Sequence, residues 1–430
     1  MNAQRKFVSF VVAATLASAV CGPAHATSNT LFGLGPRSAS LAQADIAAAA
    51  PVAAAYTNPA LASEPGARIE LGYGHAWSRL EFNDRPAPVQ DIRGVDAGLQ
   101  LGTSLGSNWT LGAGLAMHLP DRSLARVSFR PGSEPSLPRF DPAPQRTTAD
   151  VALGLRHGRA SIGVGASLLM DAVGDVHFLL GQDGNGTYAE GDASVRLPYR
   201  IAPSAGLHVD LGPAAIAGRY RGAQAIGLDL ATRTDVTVSG NPLNGTTTVG
   251  VRGESGYVPA LADLGARWTL SRSLCLLASL QWARWSAAPS SAAELSMAVH
   301  LGLTPGQLEA RFVRPALRDT LSPRLGVEVD PGILRHALRL RAGYAFVPSP
   351  VPEQRGLMTI VDSASHLAAL GAGVDLGAFW GVALRADAAG QVCVQESRTF
   401  DKQNDALPFA RFTTGGQLWR VSTSVEAAWR

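Results

Sequence analysis

From Ala67 to the C-terminus, apolar residues return at every second position, run after run. In the last run Trp419, Val421, Thr423, Val425, Ala427 and Trp429 alternate with Arg420, Ser422, Ser424 and Glu426. Ile69, Leu71, Tyr73 and Trp77 share a parity with His75, while Arg68, Glu70, Gly72 and Gly74 take the other. The pattern recurs at 95–102, 109–119, 160–168, 258–268 and 338–346. In an extended strand successive side chains point to opposite faces, so each parity is one face. One face is apolar, and the other carries Gly and charge. That combination suits a barrel wall with lipid outside and a lumen inside.

A soluble sandwich also alternates, and the connections separate the two. Short turns are expected near Gly106-Ser107, His157-Gly158, Gly212-Pro213, Ser271-Arg272, Pro331-Gly332 and Gly377-Ala378. Long loops are expected at Glu81 to Ile92, Pro120 to Thr148, Ala172 to Tyr199, Thr232 to Gly256, Ala287 to Asp319, Pro348 to Ser363 and Gln395 to Gln417. Strict alternation of short and long connections marks outer-membrane barrels, with the short set periplasmic. The expectation is an all-β chain: a transmembrane antiparallel β-barrel of about fourteen strands, with both termini on the periplasmic side. Trp77, Trp109, Trp268, Trp282, Trp285, Trp380, Trp419 and Trp429 stand toward strand ends, as interfacial girdles require.

Composition agrees. Hydrophobic residues make up 46% of the 430, yet after residue 26 no apolar run is long enough for a membrane helix. The net charge is +3 and the basic residues are scattered, which gives nucleic-acid binding no support. Residues 1–26 read as a signal peptide: Arg5 and Lys6, the apolar stretch Phe7 to Val20, then Ala24-His25-Ala26. Cys275 and Cys393 remain after cleavage, without metal or redox spacing, and their pairing is open. No G-x-S-x-G or H-E-x-x-H occurs, and His75, the one outward histidine worth examining, has no evident serine partner. Neither an enzyme nor a cofactor nor a metal site is expected.

Residues 27–66 break the strand pattern. They are Ala-rich and precede a barrel spanning 67–430. Ala39 to Ala55 is read as a short helix that Pro51 interrupts. The segment is either a periplasmic tail or a plug. Its sequence, FGLGPRSASLAQADIAAAAPVAAAYTNPALAS, resembles the N-terminal hatch of the FadL/TodX-type outer-membrane transport family. The matching residues are Gly33, Gly35 and Arg37, then Asn58, Pro59 and Ala60. The family's Asp-Asp pair is absent, with Ala49 and Ala50 near its place. Trp282, Trp285 and Ser286 are similar to its Trp-x-x-Trp-Ser element. Arg341, Gly343, Tyr344, Ser349 to Pro352, Asp362 and His366 are similar to a later strand, loop and return. One departure is Arg430, which follows Trp429 where such barrels end on an aromatic residue.

The resemblance implies a monomeric outer-membrane channel that passively admits hydrophobic molecules such as long-chain fatty acids or aromatic hydrocarbons. Its partners would be that ligand, outer-membrane lipid and lipopolysaccharide, and the barrel-assembly machinery. A general diffusion porin and a structural or adhesion barrel are the alternatives. Arg267, Arg324, Arg339, Arg341 and Arg385 fall on lumen-facing positions and are candidates to meet a substrate carboxylate. The competing reading is an ion-pair network with Asp263, Glu328, Asp375, Asp387 or Glu426. The stretch Ala287 to Asp319, with Leu295, Val299, Leu301, Leu303 and Leu308, is expected to form either an amphipathic surface helix that collects ligand or ordinary loop packing.

Overall fold

A computed structural model describes residues 28–429 except 88–90, 121–134, 137–146, 171–172, 184–185, 197–198, 239–244, 290, 301–305, 314–315, 333–336, 356–358 and 408. The signal-peptide reading therefore lies outside the described residues. The alternating runs are strands. We number them β1 Gly66–Phe82, β2 Ile92–Ser104, β3 Trp109–Pro120, β4 Thr148–His157, β5 Ala160–Met170, β6 Tyr199–Asp210 and β7 Ala214–Arg221. The second half is β8 Ala260–Thr269, β9 Leu274–Arg284, β10 Thr320–Val329, β11 Leu338–Val347, β12 Ser365–Phe379, β13 Val382–Asp401 and β14 Arg411–Trp429.

Each strand pairs antiparallel with its neighbours in sequence. The sheet closes where β1 pairs with β14, from Ala67↔Trp429 to Phe82↔Thr414. The result is a closed fourteen-strand barrel with no free edge. Among the described residues no helix is long and apolar enough to cross a membrane. The outer face carries Leu71, Leu101, Leu153, Val164, Ile201, Leu264, Leu325 and Leu370, all exposed. A continuous apolar belt of this kind is far larger than a water-soluble monomer displays, and it suits hydrocarbon.

Four expectations need correction. The turn placed at Gly377-Ala378 lies at Trp380-Gly381, because a register shift between Asp375 and Gly377 lets β12 run on to Phe379. The last long loop is shorter than Gln395 to Gln417, since β13 and β14 extend to Asp401 and from Arg411. Among its described residues Ala287 to Asp319 holds no surface helix, and Leu301 and Leu303 lie outside them. Its described part contains two strands, Ser291–His300 and Gly306–Val313. There the alternation of Leu295, Met297 and Val299 outweighs the i, i+4 spacing of Leu295 and Val299. These strands join hairpins 173–196 and 224–258 in a separate six-stranded sheet at the long-loop end. Trp285 also departs from the girdle. It is buried against Tyr257, at 6.2 Å between ring centroids.

Candidate functional site

Residues 28–65 do not leave the barrel. They lie against its inward face, so the site is a lumen occupied by the chain's own N-terminus. The segment is built from short pieces: helices α1 Ser28–Phe32, α2 Gly35–Ser40 and α3 Ala54–Thr57, with 3-10 turns Pro51–Ala53 and Pro59–Ser63. The helix read from Ala39 to Ala55 is thus not one element. Only its ends are helical, and Pro51, which lacks an amide hydrogen, opens the second piece at its N-terminus.

Inward glycines explain how the segment fits. A side chain at Gly371, Gly343 or Gly326 would collide with Ser40, Leu41 or Ala44. Further round, Gly265 meets Ile46, Gly206 meets Asn58, Gly163 meets Pro59 and Gly112 meets Ala62. The chain from Ser40 to Ala62 follows this glycine track from β12 back to β3, close against the wall. Any Cβ on the track would push the segment off its seat.

Asn58 sits at the centre and is fully buried. Its Nδ2 donates to the carbonyls of Ile46 at 3.2 Å and Leu207 at 3.3 Å. Its Oδ1 accepts from Ala60 N at 3.1 Å, capping the turn that Pro59 opens. Gly33 and Gly35 both have positive φ, 84° and 72°. The Gly33 carbonyl accepts from Arg420 Nη1 at 2.8 Å, and Gly35 N donates to Asp96 Oδ2 at 3.3 Å. Asp96 also takes Arg420 Nη2 at 3.3 Å and His118 Nδ1 at 2.7 Å. Arg37 reaches Asp45 at 3.8 Å and Glu328 at 3.6 Å. The acidic contact within the segment thus comes from Asp45, not from a pair near Ala49 and Ala50.

The five lumen arginines divide. Arg324 donates to Gln281 Oε1 at 2.7 Å and stands 4.0 Å from Asp263. Arg341 bridges Glu328 and Asp387, each at 2.6 Å. Arg385 holds Asp387 at 2.9 Å and Asp375 at 3.9 Å. These three are tied into wall networks. Arg267 has one longer contact, 3.6 Å to Asp210. Arg339 has no hydrogen-bond or ion-pair partner among the described residues, and both line a cavity at the short-turn end.

Sequence reasoning did not single out Arg219, although its inward parity was visible. Its guanidinium meets Asp263 at 2.6 Å and the Tyr56 carbonyl at 2.9 Å, joining wall to segment. Gln281 donates to the same carboxylate at 2.9 Å. Asp263→Ala is expected to cost about 3–5 kcal/mol, because it strands buried cations. A fall in the urea midpoint of the detergent-solubilised protein is the readout, and an unchanged midpoint would contradict the network's weight. His75 meets Asp91 at 3.0 Å and lies tilted against Trp77, 5.4 Å between ring centroids, with no serine partner in its described contacts. Cys275 and Cys393 are not joined by a disulfide.

Above the segment, at the long-loop end, Leu31 and Phe32 join an apolar cluster with Leu80, Ile360, Phe400 and Phe412. Loop residues close over it. Lys402 is buried there, donating to Thr359 Oγ1 at 2.8 Å, and burial pulls its ammonium pKa below the usual lysine value.

These features define a class: a closed membrane-type barrel whose lumen is filled by its own N-terminal segment. The fold is that of the FadL/TodX-type channels. A Pseudomonas aeruginosa FadL homologue matches with a TM-score of 0.55 and 14% identity, over 92% of this chain and 98% of that one. The P. putida toluene transporter TodX matches at 0.55 and 13%, over 92% and 98%. The Ralstonia pickettii toluene transporter TbuX matches at 0.52 and 13%, over 93% and 99%. No protein-family model and no curated protein sequence matches the chain.

Proposed function

We propose that this protein is a bacterial outer-membrane channel for passive uptake of hydrophobic molecules, with residues 27–66 as its hatch. The observation that carries the reading is the plugged lumen: the segment rests on a glycine track beneath an apolar cluster. A water-filled porin has no use for such an obstruction, and it offers an apolar solute no relief from water. The solved structures with this fold include toluene and monoaromatic hydrocarbon channels. The ligand binds on the long-loop side of the hatch and leaves when the hatch shifts or the wall opens.

The wall offers a place for that opening. β10 and β11 pair only from Arg324↔Ala345 to Val329↔Leu340, leaving Thr320 to Pro323 without a β11 partner. Pro323 has no amide hydrogen to extend the ladder. Uptake of radiolabelled toluene, decane and decanoate by cells with and without the protein tests the reading directly. Accumulation that depends on the protein for at least one compound supports it. No dependence for any of them overturns it.

In this reading the long loops face outward. A cysteine at Asn404, in the exposed loop after β13, should label in intact cells. One at Arg272, in the turn between β8 and β9, should label only after the outer membrane is permeabilised. The opposite pattern would invert the topology.

A further inference from the structure

We propose that the outer wall of the barrel carries a site for one anionic phospholipid, with an acyl chain in a groove across β1 to β4 and the phosphate at His157 and Arg159. Register makes the groove. Trp429, Ala67, Leu101, Ala113 and Leu153 are successive cross-strand partners, so they form one outward row over β14, β1, β2, β3 and β4. The two alanines leave dents between large side chains. β1 also begins here, at Gly66, where a φ of 103° turns the chain from the wall into the lumen. The hollow has a volume of about 520 Å³ and reaches Thr103 and Leu111. That lies within the usual range of small-ligand sites, about 300–1,000 Å³. Its floor is bare backbone at Gly102 and Gly112, with the Glu64 and Ala62 carbonyls directly behind.

Position and charge select the occupant. Leu101, Leu111 and Leu153 belong to the exposed apolar belt, so the groove opens into hydrocarbon and an acyl chain covers it. Two residues nearer the turn, about 7 Å along β3, Trp109 stacks on His157 with ring centroids 4.2 Å apart and 25° between the planes. The stack holds the imidazole at the level of the tryptophan girdle, where lipid headgroups begin. Arg159 follows in the exposed turn, without an ion-pair partner among the described residues. The acids on this rim are engaged: Glu64 meets Arg156 at 3.2 Å, and Asp210 meets Arg267 at 3.6 Å. The rim thus offers a guanidinium and an imidazole N–H to a phosphate, and no free carboxylate to an ammonium. A headgroup of net negative charge is favoured over a zwitterionic one.

The site lies at the short-turn end, so it rests on the topology read above for its leaflet, which holds phospholipid and not lipopolysaccharide. It does not depend on what the channel carries. The test is native mass spectrometry of the delipidated, detergent-solubilised protein titrated with dioleoyl phosphatidylglycerol. One lipid should bind tightly, and dioleoyl phosphatidylcholine about fivefold more weakly. Ala113→Trp fills the groove and should weaken binding at least tenfold. Arg159→Gln should weaken it about fivefold and erase the preference over phosphatidylcholine. Ala266→Trp, outward on β8 and away from the groove, should change nothing. Heat-modifiable migration checks that each variant is folded, and Ala67→Phe replaces Ala113→Trp if that one is not. Equal affinity of the intact protein for the two lipids would overturn the proposal. So would wild-type affinity in either the groove or the Arg159 variant, or equal weakening by Ala266→Trp. Tighter binding of lipid A than of phosphatidylglycerol would overturn it too, by assigning the site to the other leaflet. Toluene uptake without a bound phospholipid would leave the channel reading standing and remove only this site.

Discussion

Removing residues 27–65 is expected to raise single-channel conductance in planar bilayers by about an order of magnitude or more, because it empties the lumen. The intact protein should conduct ions poorly. The segment packs directly against the inward glycines of nine strands, from Gly371 on β12 round to Gly102 and Gly98 on β2. Without it those positions present no side chain, so the vacated space stays open. The groups it would uncover are wettable: Arg219, Arg420, Gln391 and Gln100 now bond its carbonyls. Water and ions would replace it. Heat-modifiable migration must show that the truncated barrel still closes. Unchanged conductance in a folded truncation would mean that the segment does not obstruct the pore. Porin-like conductance in the intact protein would sink the uptake reading as well.

The second large effect belongs to Asn58. Asn58→Ala removes two donated hydrogen bonds and one accepted, and it leaves the carbonyls of Ile46 and Leu207 without this donor. The expected cost is about 2–4 kcal/mol, charged to the seating of the segment and not to the wall. That corresponds to a shift of roughly 30-fold to a thousandfold toward the unseated state. Limited proteolysis should then cut between residues 28 and 63 while the barrel survives, and conductance should flicker. Gly206→Val should do the same from the wall side, since its side chain would occupy the place of the Asn58 carboxamide. A protease-resistant segment in both variants would show that neither Asn58 nor the glycine facing it holds the segment in place.

Much of this barrel was legible before any coordinates. Parity alone assigned Leu71 and Leu264 outward and Arg341 and Asp263 inward, because a strand has only two faces. The turn at Gly158 and the rise of long loops after Phe82 and Pro120 followed from the lengths between runs. Three things were not legible, each for a physical reason. The course of residues 40–62 depends on where glycines lie on other strands, and a chain of Ala, Pro and Ser carries no periodicity to reveal it. The division of the arginines depends on cross-strand partners: Arg324 is taken by Gln281, while Arg339 faces the Gly373 position, which has no side chain to offer. The sheet at 291–313 was hidden because Leu295 and Val299 fit both a helix and a strand over so short a span.

The closing seam has a consequence for how the molecule is made. β1 and β14 pair along sixteen positions, and their partners lie some 330 to 360 residues apart in the chain. Bringing such distant segments together carries the largest loop-closure entropy in the molecule, so this ladder completes last. The N-terminal segment is already attached to β1 when it does. It cannot be threaded into a finished cylinder whose inner backbone touches it on so many strands. The sheet must instead wrap around it, with each inward glycine laid against the segment as its strand is added. On this argument the segment serves as a mandrel during assembly, setting the curvature of the wall as it closes.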